Sequence, residues 1–415
     1  MRRALLILPL LYACNDKATD DSTPVTGVAW YPDIEPIMAE KCATCHQAGG
    51  LGPGDWTDYA AAAANAAAIN TYIAANAMPL PAADPECRPY HGHERMHLTD
   101  QERADIDAWV QAGAPEGEPG LSTHPEVPVL RLNDTDLTLP MPAAYTLQPD
   151  PDGNDYWCMV LDNPFTEPRY ITGFDVDVGN RAVVHHMLLA VDSGHNAGIE
   201  YGTDGHQQTF QCRDPVVESD WMLLHAWTPG MEPVEMPDGV GLLVQPGDQI
   251  VLQMHYFSDP DGPAQTDLSS YRLRTTDSVP TEAFMTAVGP TDILIPANAT
   301  AHTEHQATRN NFGGPLTIYG AFPHMHLLGT GYEAKVTRSD GSEDCLVRGE
   351  YDFDHQMTYM FEEPMVVQEG ERLGMQCTWD NSADNPRQYN DPPRPVRFGE
   401  GSNQEMCFLL FYYSM

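Results

Sequence analysis

The chain has 415 residues, with 60 acidic against 21 basic side chains and a formal net charge of −39. This length exceeds one small core and points to about two to four domains. The acidic excess argues against nucleic-acid binding, which needs clustered Lys and Arg to neutralise phosphates, and 36 Pro with 33 Gly predict many loops and turns.

The chain opens M-R-R-A-L-L-I-L-P-L-L-Y-A-C. Two arginines before a short apolar run read as an export signal over residues 1–14, too brief to span a bilayer. L-Y-A-C resembles a bacterial lipobox, which makes Cys14 a lipidated first residue. The alternative is an ordinary signal peptide with a chance cysteine. Asn15 follows instead of Asp, so nothing marks retention at the inner membrane. Polar residues 15–26 read as a tether, and no later segment is apolar enough to cross a membrane. The expectation is an exported lipoprotein at the outer membrane, in the periplasm or on the cell surface, anchored by lipid only. Export would place the nine cysteines where disulfides persist.

C-A-T-C-H, from Cys42 to His46, is the attachment signature of one c-type haem. Two thiols add to the vinyl groups, and the adjacent histidine is placed to ligate the iron. A zinc half-site or a redox C-x-x-C leaves that histidine unexplained. D-I-E-P-I-M-A-E-K reads as a short helix leading into the motif, and an Ala-rich helix follows over 58–76. It ends at A-M-P-L-P, where Met78 is the candidate opposite axial ligand. His91, His93 and His97 are its local competitors. The last helix of this unit carries a capping box at Thr99 and Glu102, an apolar face of Ile106, Trp109 and Val110, and a stop at Gly113. The unit spans 27–117, and Pro/Gly-rich residues 118–127 are a linker.

Beyond Val127 short β-type runs alternate with Gly, Pro, Asp and Asn turns. The prediction is a mainly-β chain: two jelly-roll-like β-sandwich domains, 128–278 and 279–415, behind a small all-α cytochrome c-like domain. Three histidine groups stand out: His185-His186, His255, and His324-Met325-His326. His324 and His326 are two apart, hence on one strand face, and can chelate one ion. His185 and His186 point to opposite faces of a regular strand. They can share an ion only if the strand twists or ends, or if their rings use different nitrogens. Imidazole suits copper, zinc, iron and nickel, so residue type alone does not name the metal.

In order, V-V-H-H-M-L-L, H-A-W-T-P-G, L-Q-M-H-Y, H-M-H-L-L-G and E-M-C resemble the motifs of the copper type II ascorbate-dependent monooxygenases. That family includes the peptidylglycine α-hydroxylating and dopamine β-monooxygenases. The resemblance runs from about residue 128 to the C-terminus. It implies two copper ions: an electron-transfer copper on His185, His186 and His255, and an oxygen-binding copper on His324, His326 and Met406. A thioether is a soft ligand favouring Cu(I). The resemblance also implies a Cys377–Cys407 disulfide that pins Met406, with Met375 as the rival sulfur ligand. Gln253, two residues before His255, shares its strand face and is a candidate support for the metal-facing surface. The peptidylglycine enzyme carries an Arg two residues before its H-x-H. Phe322 stands there in this chain, which argues against an amidating peptide substrate.

The implied activity is hydroxylation of an unactivated C–H bond with O2 and two electrons. The substrate is a small or peptide-like molecule, and ascorbate or a redox protein is the donor. The fused haem suggests electron entry through Cys42 and Cys45. A non-catalytic copper-binding or electron-transfer lipoprotein is the second reading. A zinc hydrolase is the third, and it lacks an H-E-x-x-H-type base. Cys158 and Cys212 are a candidate pair, and Cys87 and Cys345 have no assigned partner. His195, His206, His225, His302, His305 and His355 read as surface or supporting residues.

Overall fold

The computed structural model describes residues 27–48, 50, 52–194, 209–211, 221–399 and 401–415. Segments 1–14 and 15–26, with the expected lipidation residue Cys14, lie outside the described residues, as do Cys212, His195 and His206. No described helix is long and apolar enough to cross a membrane.

Three longer helical pieces, residues 30–42, Tyr59–Ala74 and Asp100–Gln111, and a single turn at His93–Met96 make the N-terminal unit among the described residues. Asp58 caps the second by accepting from the Ala61 amide. The predicted capping box forms at Thr99 and Glu102 and fixes the start of the third. Gly113 adopts a left-handed φ of +85° just past its end, a conformation open to glycine at little cost. Trp30 and Trp109 pack with ring centroids 5.9 Å apart, joining first and last helices around a core that includes Ile34, Met38 and Ile106.

The remainder is β-structure. A nine-stranded sheet runs through both halves, with Thr281–Val288 pairing parallel to Val240–Val244 and antiparallel to Phe408–Ser414. A five-stranded sheet containing Asn154–Leu161, Gln249–Phe257, Val184–Asp192 and Met222–Trp227 covers its first half. The Tyr271 hydroxyl donates across the layers to the Met187 carbonyl, and that of Tyr412 to the Leu224 carbonyl. A four-stranded sheet, ordered His302–Arg309, Arg372–Trp379, Gly329–Thr337, Glu343–Glu350, belongs to the second half. The two expected sandwiches therefore share one continuous sheet. Just past the expected domain boundary at 278/279, parallel pairing at residues 281–283 carries the hydrogen-bond ladder across.

The helical unit is stitched to this β-structure. Cys87 and Cys345, left unassigned from sequence, form a disulfide across 258 residues. Around it, Ala83 and Tyr90 are buried in the main β core and not in the helical one.

Candidate metal centres

The strand Gln249–Phe257 is buried along all but its last residue. Ile250, Leu252, Met254 and Tyr256 point into the sandwich core, which leaves Val251, Gln253 and His255 on the opposite face. Its neighbour Val184–Asp192 pairs His186 with His255 but Val184 with Tyr256. His185 is thus the extra residue of a β-bulge. Val184 and Met187, three apart, both enter the core, so His185 and His186 turn together toward His255. That is the strand distortion the sequence reading required. Ring centroids of His185 and His186 each lie 4.8 Å from that of His255, and one ligand nitrogen from each of the three falls within 4.8 Å of the others.

His255 stacks on Tyr156 at 4.0 Å, and its Nε2 lies 3.0 Å from the Asn154 Oδ1. An amide oxygen only accepts, so Nε2 carries the proton and Nδ1 keeps its lone pair. That Nδ1 is buried and has no hydrogen-bond partner among the described residues. Burial pushes the His185 pKa down to about 4 and those of His186 and His255 well below their ordinary value. Neighbouring imidazoles add to the shift at His186 and His255. Neutral imidazoles with bare nitrogens are the form a metal needs. Gln253 opposes the shift at His186, although its Oε1 makes no hydrogen bond of ordinary geometry.

His324 ends the strand Leu316–His324, while Met325 points into the core, so His324 and His326 share the other side. Their rings are 5.1 Å apart, at 81°. His324 Nδ1 donates to the Gln356 Oε1 at 2.7 Å, and His326 Nδ1 to the Gln404 carbonyl at 3.1 Å. Both Nε2 atoms are thereby left as lone-pair donors. Burial lowers both pKa values, more strongly at His326. Glu405 accepts from the His326 and Leu328 amides and from the Trp379 indole. These bonds hold residues 404–406 against the H-M-H turn and bring in the buried Met406. The Cys377–Cys407 disulfide forms as the resemblance implies. The rival Met375 lies fully buried in the core beside it.

One loop touches both histidine groups. Phe353 stacks on His185 at 4.6 Å, Gln356 holds His324, and Thr228 donates to the Gln356 carbonyl. Asn154 Oδ1 also receives Ser402 Oγ at 3.4 Å.

In the helical unit Cys42 and Cys45 are unpaired. Burial raises the Cys42 thiol to about 12 and the Cys45 thiol also, so neither is poised as a free thiolate. His46 Nδ1 donates to the Pro53 carbonyl at 2.6 Å, leaving Nε2 bare, and a Cβ at Gly52 would strike the His46 ring. Met78 is half-buried, just beyond the helix Tyr59–Ala74. Among its competitors, His97 Nε2 is occupied by the Ala83 carbonyl and the Tyr90 hydroxyl, His93 faces Glu94 and Glu362, and His91 is exposed.

Family models for the N-terminal and C-terminal domains of the copper type II ascorbate-dependent monooxygenases match residues 143–262 and 282–415, together more than half of the chain. The chain belongs to the copper type II ascorbate-dependent monooxygenase family. A cytochrome c model matches residues 34–114. The chain is 24% identical over 299 residues to peptidyl-glycine alpha-amidating monooxygenase A of Xenopus laevis, covering 69% of this chain and 29% of that protein. It is 24% identical over 284 residues to DBH-like monooxygenase protein 2 of Mus musculus, covering 63% and 43%. It thus spans less than half the length of either relative. Among solved structures, the major capsid protein P2 from bacteriophage PM2 aligns at 10% identity with a TM-score of 0.28, over 67% of this chain and 97% of that one. That likeness is too weak to argue from.

The monooxygenase domains imply copper, and the cytochrome domain implies haem. The residues present fit both: the orphaned Nδ1 of His255 and the bare Nε2 atoms of His324 and His326 suit copper, and unpaired Cys42 and Cys45 beside His46 suit covalent haem. Sequence reasoning missed Asn154, Phe353 and Gln356, which sit in no motif and are brought in by folding alone. Glu405 was visible beside Met406 but carried no sign of its role. His225, read as surface or supporting, is buried between Phe174 and Tyr271.

Proposed function

We propose that this protein is a two-copper monooxygenase that hydroxylates a C–H bond of a small molecule with O2, and that electrons reach it through the fused c-type haem. The observation that carries the reading is the pair of neutral imidazole sets, His255 and His326 buried and His185, His186 and His324 half-buried, linked through one loop by Phe353 and Gln356. In this reading His185, His186 and His255 hold the electron-storing ion, and His324, His326 and Met406 hold the ion at which O2 reacts. Copper in these sets and haem held by Cys42, Cys45, His46 and Met78 would supply one-electron redox steps and a binding place for O2.

The chain's own residues do the rest. Asn154, Gln356 and the Gln404 carbonyl fix the tautomer and orientation of His255, His324 and His326. Gln253 supports the metal-facing surface beside His186. Phe322, stacked 6.0 Å from the His324 ring, offers apolar contact and no cation for a peptide carboxylate. Ascorbate or a redox protein would reduce the haem. We further place the protein outside the cytoplasm as a Cys14-anchored lipoprotein. The disulfides Cys87–Cys345 and Cys377–Cys407, and a disulfide-bonded Cys158, support an oxidising compartment.

The test is metal and haem content of the purified protein beside Met406→Ala and His255→Ala, with reductant-dependent O2 uptake. Two coppers and one haem, with a different copper weakened by each variant, are expected. Zinc, or one copper indifferent to Met406, would overturn the reading.

A further inference from the structure

The helical unit is held to the monooxygenase half by more than the Cys87–Cys345 disulfide. The Asp84 amide donates to the Arg348 carbonyl at 2.7 Å, His91 to Met360 at 2.9 Å and Glu362 to Pro89 at 3.2 Å. The turn after this seam also reaches the haem motif. Lys41, next to Cys42, donates to the Glu94 carbonyl. Arg95 pairs with Glu232 at 2.6 Å, and the charge of Glu232 acts on Cys45.

From this seam a row of tyrosines leads inward. Tyr90 is 1% exposed, meets the His93 ring at 5.8 Å and places its hydroxyl 3.0 Å from His97 Nε2. Its ring meets Tyr359 edge-on at 4.8 Å, and the Tyr332 hydroxyl donates to that of Tyr359 at 3.2 Å. Tyr332, Tyr351 and Tyr359 line one small cavity with Pro323 and Gln356. Pro323 precedes His324, and Gln356 holds it. Tyr351 closes the row: its hydroxyl donates to the Met325 carbonyl and accepts from the Met325 amide, between the two histidines. Burial raises the pKa of all four phenols, so they keep their protons. A hydroxyl in a core stabilises little over phenylalanine even when bonded, yet four are gathered between the seam at Tyr90 and the Met325 backbone.

We propose that Tyr90, Tyr359, Tyr332 and Tyr351 form the electron inlet of the monooxygenase unit, opening on the His324/His326 centre and not on the His185/His186/His255 centre. This rests on the reading that the haem is the donor. In each event ferrous haem held by Cys42, Cys45 and His46 would give up one electron and become ferric, and a cupric ion held by His324 and His326 would take it and become cuprous. The first of the two electrons would then pass on to the storing ion held by His185, His186 and His255. No bond forms or breaks; the Tyr90–Tyr359 ring contact and the Tyr332–Tyr359 hydroxyl bond carry the electron to the small cavity that Tyr332 and Tyr359 share with Tyr351, whose hydroxyl reaches the Met325 backbone.

The experiment uses the full holoprotein, anaerobic, with ferric haem and cupric copper. A laser flash with a soluble photoreductant reduces the haem, its visible band reports reoxidation, and the cupric paramagnetic signal reports arrival. The wild type is expected to reoxidise rapidly as the cupric signal falls. Tyr359→Leu should slow this several-fold at unchanged haem and copper content, and Tyr359→Phe, which keeps the ring against Tyr90, should recover part of the rate. His324→Ala should abolish the fast phase. Intact Cys87–Cys345, measured by mass spectrometry, and an unchanged melting temperature of Tyr359→Phe separate conduction from loss of docking. Wild-type rates in both Tyr359 variants would overturn the inlet alone. Loss of the fast phase in His255→Ala with its survival in His324→Ala would overturn the entry point. Haem that stays ferrous in the wild type would overturn the haem-donor reading and the inlet with it.

Discussion

His324 donates its Nδ1–H to the Oε1 of Gln356 at 2.7 Å, and Gln356 is oriented in turn by donating Nε2 to the Phe353 carbonyl. The bond selects the tautomer that leaves His324 Nε2 bare. Gln356→Leu removes the acceptor while keeping bulk. Loss of such a partner typically lowers metal affinity about 10–100-fold. Copper titration against a competing chelator should show one weakened site and one unchanged; two unchanged sites would refute the role.

Glu405 is completely buried and gathers the His326 and Leu328 amides and the Trp379 indole. Glu405→Ala strands these donors, each at about 1–3 kcal/mol. Urea denaturation should show a large loss of stability, and the surviving folded protein should retain copper at His255 but not at His326. Wild-type stability would argue against this anchoring.

His225 is pushed down to about 3 by burial. The folded state therefore keeps it neutral while the unfolded chain protonates it below about pH 6.5. Its contribution is present above that pH and is lost as pH falls toward 3. Denaturation at pH 7 and pH 5 should show the deficit of His225→Gln shrinking at the lower pH, by up to about 1.4 kcal/mol per unit. A deficit independent of pH would contradict the buried neutral state.

Removing the Cys87–Cys345 cross-link in a double serine variant frees a long loop of unfolded chain, an effect of about 2–4 kcal/mol. The variant should melt earlier and release the helical unit on limited proteolysis within 118–127. Protection equal to the wild type would mean that the backbone contacts along the seam suffice.

Much of this was legible in the chain. The haem motif, the capped helix Asp100–Gln111 and the order of histidine motifs rest on residues close in sequence, whose spacing is local chemistry. His324 and His326 are of this kind only in part: their spacing of two reads as one strand face, and they do share one side, but the strand ends at His324 and His326 lies in the turn beyond it, held there by Glu405 and Gln404.

Other features depend on residues far apart. His185 and His186 converge on His255 because pairing between two strands inserts a bulge, and register is a property of the pair. Asn154, Phe353 and Gln356 reach the histidines from other segments, and Cys87 finds Cys345 across 258 residues. The sequence by itself determined which groups could carry the chemistry. Only the tertiary structure decided which nitrogens stay bare and where the helical unit docks, because hydrogen-bond partners and burial arise from packing between distant parts of the chain.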